Sequence, residues 1–309
     1  MRVFARVVDE GSFAAAARAL NLSAAVVTRL VADLEEHLST RLINRTTRRL
    51  ALTDTGELYL ERVRQILSEV EEAEALASAA TSEPRGIVRV LSPPAFAVHQ
   101  LAPSLPAFRA RYPKVSVELS APGPVSTVDE NFDISILMTQ RPPDGEFIAR
   151  LLARTAWIVC AAPSYLNERG RPAHPADLMR HRVMAPSTVR EVSFRADSSH
   201  PSHGQMGSAV ADETVTLSSV RAALSTSHID TLFAAARAGL GVAGLPSFVV
   251  HGALREGSLE RVLPHWRLLT GSIYLAMPTR KYVPARTRAL WDFLLASLGG
   301  QDRDPWLDD

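Results

Sequence analysis

The stretch Asn21-Leu22-Ser23-Ala24-Ala25-Val26-Val27-Thr28-Arg29-Leu30-Val31-Ala32-Asp33-Leu34 constrains the fold more than any other. Ser23 offers its hydroxyl as an N-cap for the free N–H groups of a first helical turn. Behind it Val27, Leu30, Val31, Leu34 and Leu38 recur at three- and four-residue spacing. That spacing predicts one apolar stripe, with Ala25, Thr28, Arg29, Ala32 and Glu36 on the opposite face. Upstream, Gly11-Ser12 opens a helix from Phe13 to Leu20, and Asn21 suits the left-handed cap that ends it. Two short helices around a tight turn, the second with a small, polar outward face, are what entry into a DNA major groove requires. A three-helix domain that meets no nucleic acid satisfies the same spacing, so this stretch alone leaves both readings open.

The flanking sequence adds weight to the first. Met1 to Val8 reads as a helix with Val3, Phe4, Val7 and Val8 on one side, and the alanines 14–17 let two helices cross closely. Leu42 to Arg45 and Arg49 to Leu52 are strand-like segments around Thr46-Thr47-Arg48, the pattern of a wing. Net charge is only +1, so a nucleic-acid footprint has to be local. Arg41, Arg45, Arg48 and Arg49 supply it, with no acid between positions 41 and 49. Arginines and threonine hydroxyls on such a loop bind phosphates, and a tip arginine enters a minor groove; a solvated basic turn is the plainer alternative. From about Thr55 to Ala80, Tyr59, Val63, Ile66, Val70, Ala73, Ala77 and Ala80 form a heptad seam. Self-association through this helix is expected, with packing on the chain's own C-terminal domain as the alternative.

Ser82-Glu83-Pro84-Arg85-Gly86 then breaks the helix. With 309 residues, 46% of them hydrophobic, two or three domains are expected. Strands are predicted over Ile87–Leu91, Val115–Leu119, Phe132–Met138, Ala156–Ala161 and Ser272–Met277, and helices over Ala97–Arg111, Asp230–Gly239 and Ala285–Leu298. Gly241 to Pro246 is read as a connector into another helix. The alternation implies a parallel α/β sheet.

Cys160, the single cysteine, lies in an apolar run and excludes an internal disulfide. No apolar run is long enough to span a bilayer and no signal-peptide pattern opens the chain, so a soluble, cytoplasmic protein with no membrane partner is expected. His174, His181, His200 and His203 lack metal-site spacing, and there is no phosphate loop, nucleophile elbow or catalytic triad; Gly239-Leu240-Gly241 lacks the third glycine of a dinucleotide motif. Neither metal, cofactor nor enzymatic activity is expected.

Gly11-Ser12-Phe13, Ala15-Ala16-Ala17-Arg18-Ala19-Leu20, Leu22-Ser23, Leu34-Glu35, Leu38, Arg41-Leu42, Arg45-Thr46-Thr47-Arg48, Leu52-Thr53 and Gly56-Glu57 closely resemble the N-terminal domain of LysR-type transcriptional regulators. Leu101-Ala102-Pro103, Arg111-Tyr112-Pro113, Phe132-Asp133-Ile134, Ser164-Tyr165-Leu166, Ala238-Gly239-Leu240-Gly241 and Leu245-Pro246 resemble the family's effector domain. The resemblance implies an α/β protein overall: a winged helix-turn-helix at 1–55, a dimerising linker helix at 56–84, and a periplasmic-binding-protein-like effector domain at 85–309. Its two α/β subdomains would be about 87–161 with 268–300, and 162–267, joined by two crossing strands. The implied partners are double-stranded promoter DNA, a small-molecule effector (a carboxylate or an aromatic), and further copies of the chain in a dimer or homotetramer.

The DNA-binding residues so assigned are Ser23, Ala24, Ala25, Thr28, Arg29, Arg45, Thr46, Thr47, Arg48 and Arg49. Where the family often has glutamine and then serine or proline after the Ser23 position, this chain has Ala24 and Ala25, so the side-chain amide that pairs with adenine is absent. Ala24, Ala25 and Val26 can instead touch thymine methyls, leaving Thr28 and Arg29 as the main polar readers expected. For the effector, Ser92, Pro93 and Phe96 follow the first strand, where open α/β sheets place ligands; a plain N-cap role for Ser92 stands beside that reading. Met138 and Thr139 end a later strand, and Ser227 and His228 precede the Asp230 helix. The competing class is an effector-independent architectural DNA binder, and a third is an enzyme or solute carrier built on the α/β half.

Overall fold

The computed structural model describes residues 1–46, 49–77, 83–186, 191–196, 213–218, 222–279, 283–299 and 302–307. The chain divides into two compact units, Met1–Glu83 with Arg280–Ala285, and Pro84–Thr279 with Arg286–Asp309.

The first unit holds α1 (Arg2–Asp9), α2 (Phe13–Ala19), α3 (Ala24–His37), the antiparallel hairpin β1 (Ile43–Thr46) and β2 (Arg49–Leu52), and α4 (Asp54–Ala77). One apolar core joins them: Phe4, Val7, Ala16, Val27, Val31, Leu42 and Val63 are fully or almost fully buried together. The caps are those the sequence supplies, Ser12 Oγ accepting from Ala15 N at 3.1 Å and Ser23 Oγ from Val26 N at 3.3 Å. Asn21 adopts φ +54° in the turn, as its place after α2 predicts. Glu35 fastens the hairpin to α3, its Oε1 accepting from Leu42 N at 2.8 Å and Ile43 N at 3.0 Å. Gly56 at the start of α4 has a steric reason: a Cβ there would lie 2.1 Å from the Leu42 carbonyl oxygen.

The second unit runs through β3 (Gly86–Leu91), α5 (Pro94–Phe96), a π-helical turn (Ala97–Leu101), α6 (Ala102–Arg111), β4 (Val115–Ser120), β5 (Ile134–Thr139), β6 (Phe147–Ala161), α7 (Pro163–Arg169), a 3₁₀ turn (Pro175–Arg180), β7 (Val183–Ala185), β8 (Glu191–Ala196), β9 (Thr214–Ser218) and β10 (Ala222–Ser225). It continues with α8 (Ile229–Arg237), β11 (Val242–Pro246), α9 (Ser247–Arg255), β12 (Glu260–Arg261), β13 (Trp266–Arg267), β14 (Thr270–Pro278) and α10 (Ala285–Leu298). Among the described residues the main sheet has the order β10-β7-β11-β6-β14-β5-β3-β4, with β12 also on β6, and a smaller sheet has the order β13-β8-β9.

Three expectations are corrected here. The sheet is mixed: β3 is parallel to β4 and β5, and β7 to β10 and β11, but β14 is antiparallel to β5 and β6, and β6 to β11. β6 begins at Phe147, nine residues before the strand expected at Ala156; Arg150 and Arg154 interrupt the apolar run that would have marked it. The connector expected before α9 is itself the buried strand β11, whose one glycine, Gly244, faces Leu268, with Cδ2 2.6 Å from where a Cβ would stand. The antiparallel centre and the length of β6 have one cause. Residues 147–156 of β6 pair with β14 in one α/β half, and 157–161 pair with β11 and β12 in the other, so the strand itself crosses between halves. The domain is therefore two α/β subdomains with a shared crossing, the periplasmic-binding-protein-like arrangement.

Candidate DNA-reading surface and effector site

On α3 the buried side is Val27 and Val31, flanked by half-buried Leu34 and Leu38. Leu30 departs from the expected stripe: it is 42% exposed, as are Leu22 and Val26 to similar degree. At about 100° per residue Leu30 falls well to one side of the arc centred between Val27 and Val31. Ala24, Ala25 and Arg29 stand exposed on the outward face. The Arg29 side chain is 84% exposed, with only a loose approach of Nε to Asp33 Oδ2 at 3.9 Å. Thr28 is half-buried and its Oγ1 donates to Ala24 O at 2.8 Å, which commits the hydroxyl proton within the helix and leaves only lone pairs for a base or phosphate. Ser23 is held as the cap. Of the wing residues, Arg45 and Thr46 end β1 and Arg49 begins β2, with Thr46 opposite Arg49; their side chains, and Thr47 and Arg48 altogether, lie outside the described residues.

Below the wing, α4 uses two faces differently. Leu60 and Val63 are buried in the core of the first unit, Tyr59 packs on Phe4 with ring centroids 5.7 Å apart, and Arg64 Nη2 meets Asp9 Oδ1 at 2.6 Å. Part of the expected heptad seam is thus spent within the chain. Leu58, Ile66 and Val70 stay exposed.

In the second unit Ser92 is fully buried, its Oγ donating to Pro93 O at 3.1 Å and its N–H to Ser120 O at 3.0 Å. Pro93 is buried as well, and Phe96 sits edge-on against Phe248 of α9, 5.6 Å between centroids. Met138 and Thr139 are half-buried at the end of β5, where Thr139 Oγ1 donates to Arg141 O at 2.6 Å. Ser227 and His228 are exposed ahead of α8; His228 Nδ1 lies 2.9 Å from Thr231 Oγ1, and its N–H donates to Thr226 Oγ1 at 3.1 Å. Among the described residues no hydrogen bond links the Ser92 group to Ser227 or His228.

The residues that do join the halves went unnoticed in the sequence. His99 Nε2, in the π-helical turn, donates to Asp230 Oδ1 of α8 at 2.8 Å, and the His99 ring meets Phe233 at 5.3 Å. Gln100 Nε2 donates to Phe248 O at 2.9 Å, and Thr155 Oγ1 lies 2.9 Å from Ser247 Oγ, both fully buried. These pairs are 92 to 148 residues apart in the chain, and no local signal marks them. His174 and His181 have structural roles: His174 Nδ1 caps the 3₁₀ turn by accepting from Ala176 N, and His181 Nδ1 lies 3.2 Å from Tyr165 OH. Burial lowers the His181 pKa below that of a free imidazole. Cys160 is buried on β6, and desolvation pushes its thiol up to about 12. No single helix among the described residues is long and apolar enough to cross a membrane.

Comparison with known proteins agrees with this anatomy. Residues 1–57 match the model of the bacterial regulatory helix-turn-helix protein, lysR family, and residues 81–299 match the LysR substrate binding domain. The HTH-type transcriptional regulator PtxR of Pseudomonas aeruginosa is 32% identical over 307 residues, 98% of this chain and 92% of its own. An HTH-type transcriptional repressor of Pseudomonas aeruginosa strain UCBPP-PA14 is 32% identical over 295 residues, 96% of this chain and 90% of its own. The solved structure of CrgA from Neisseria meningitidis, a LysR-type transcriptional regulator, superposes with a TM-score of 0.58 at 28% identity, covering 96% of this chain and 97% of that one. The chain belongs to the LysR-type transcriptional regulators, a non-enzymatic family that pairs a DNA-binding helix-turn-helix with an effector-binding domain and works as oligomers on promoter DNA.

Proposed function

We propose that this regulator reads its operator through Ala24, Ala25 and Arg29 of α3 with Thr28 in a lesser part, anchors on phosphates through Arg45, Thr46, Thr47, Arg48 and Arg49 of the wing, and is switched by a small carboxylate or aromatic. Residues 1–55 would read DNA, 56–84 would join two copies through the exposed Leu58, Ile66 and Val70 of α4, with pairs of dimers forming a tetramer, and 85–309 would sense the effector. With two alanines where a base-pairing amide would stand, thymine methyl contacts, groove shape and phosphate charge carry much of the affinity. The effector would lie between the α/β halves, near Ser92, Pro93 and Phe96, the β5 end at Met138 and Thr139, and the head of α8 at Ser227 and His228. Because Ser92 and Phe96 are buried, they shape the wall, while exposed His228 offers a ring N–H as a hydrogen-bond donor to an anion. By binding one relative placement of the halves better than another, the effector shifts the assembly between states.

The observation that carries the effector reading is that β6 runs unbroken through both halves, and that one of their polar meeting points, His99–Asp230, lies in the first turn of α8. The test is a thermal-shift screen of small carboxylates and aromatics on the full-length protein. A ligand that raises Tm for the native chain and does so less for His228→Ala supports the reading; no shift across a broad panel contradicts it.

A further inference from the structure

The segment after α10 does not trail away from the effector domain. α10 belongs to the β3 half: Phe293 packs on Phe108 of α6 with centroids 5.3 Å apart, and Arg286 Nε donates to Ile87 O at 2.9 Å. Residues 302–307 then lie along the crossing portion of β6. Arg154 N–H donates to Arg303 O at 2.8 Å, and the Arg154 guanidinium pairs with Asp302, which holds the Asp302 carboxyl below the usual aspartate range. The Asp304 carboxylate accepts from Ala156 N at 2.7 Å, from Trp306 N at 3.1 Å, and from Ser247 Oγ at 2.7 and 3.0 Å from its two oxygens. Ser247 has one proton and gives it to Asp304, so the 2.9 Å contact with Thr155 has Thr155 as donor. The carboxylate therefore sits at the N-terminus of α9 with a connected set of donors around it.

Trp306 completes the attachment. It is buried against Phe248 of α9 with centroids 5.6 Å apart, its Nε1 donates to Gln100 Oε1 at 3.0 Å, and its carbonyl accepts from His251 Nδ1 at 2.9 Å. Within six residues the segment is bonded to the π-helical turn of the first half, the crossing strand, and α9 of the second half. The two crossing elements of the fold, β6 and the segment leading into β14, meet here too, through Trp157 N donating to Leu269 O at 2.7 Å.

We propose that residues 302–307 are a strap that restrains the angle between the two effector halves, with Asp304 as its pin. A strand crossing leaves a hinge free to bend about the crossing; a third segment fastened to both sides and to the crossing itself removes that freedom. Releasing it populates orientations that the strapped domain rarely visits. The proposal is independent of where any effector binds.

The test uses the full-length chain carrying nitroxide labels at Arg109→Cys on α6 and Glu256→Cys after α9, both exposed, with buried Cys160 left unlabelled. With the labelled chain diluted in excess unlabelled chain before assembly, the strapped protein is expected to give a single narrow intrachain distance. Asp304→Asn, Trp306→Phe and deletion of 302–309 are expected to broaden it or add a second distance. Amide exchange at Ala156 should rise about tenfold or more, the order expected on losing a hydrogen bond to a charged acceptor, while Val90 and Ile136 in the β3 half keep their protection. If the deletion fails to fold, the two point variants decide. Native distance distributions together with native Ala156 exchange in folded variants overturn the proposal.

Discussion

The DNA-reading unit and the effector unit hold themselves together in opposite ways. In the first, Phe4, Val7, Val27, Val31 and Val63 form one apolar core, with polar bonds at its margin: the caps of Ser12 and Ser23, Glu35 on the hairpin, and Arg64 on Asp9. In the second, each half has its own apolar core, and the halves meet through the Phe96–Phe248 ring contact and through polar contacts between distant residues: His99 to Asp230, Gln100 to Phe248, Asp304 to Ser247 and Ala156. A close-packed apolar core resists small displacements, whereas hydrogen bonds between two halves can exchange partners at modest cost once a strap such as residues 302–307 is released. The arrangement suits a rigid reader attached to an adjustable sensor.

The comparison breaks most visibly at Phe4. Phe4→Ala should lower the stability of the reading unit by about 3–5 kcal/mol, as large-to-alanine changes in packed cores do, and abolish operator binding; denaturant unfolding with a mobility-shift assay checks both. Next comes Arg29→Ala, expected to weaken operator binding by about 1–3 kcal/mol and relax preference at one base position, with Tm unchanged. If operator binding by Arg29→Ala equals that of the native chain while Arg48→Ala abolishes it, Arg29 is not a reader. Removing the polar joint by His99→Ala should cost about 1–2 kcal/mol, and a double-mutant cycle with Asp230→Asn should show that the two losses do not add. Leu30→Ser should stay within about 0.5 kcal/mol of native stability, whereas Val31→Ser, one residue away but buried, should be strongly destabilising; equal effects would restore Leu30 to the core. Smallest of all, native Cys160 should resist iodoacetamide at pH 8, since its thiol titrates near 12, and react fully once unfolded.

The same contrast explains what the sequence revealed. The caps Ser12 and Ser23, the left-handed Asn21, the hairpin and α10 were legible because helix caps, turns and periodicity are local. Leu30 shares the spacing of the buried stripe yet lies outside it, because i+3 spacing alone does not say where the buried arc is centred. The mixed sheet and the reach of β6 are hidden in the sequence because Arg150 and Arg154 sit on a strand whose apolar signal is broken. For the effector site, Ser92 and His228 stand out by their places after a strand and before a helix, whereas nothing local in the sequence pairs His99 with Asp230 or Asp304 with Ser247. Asp302 and Asp304 carry no local signal in the sequence; their neighbours on β6 and α9 give them their roles.

The most direct test of the account is footprinting of the operator by full-length protein with and without a small carboxylate or aromatic that raises its Tm. An effector-switched reader should change the extent of protection or the pattern of bend-induced hypersensitive sites when that ligand is added. An identical footprint and affinity in both conditions would contradict it.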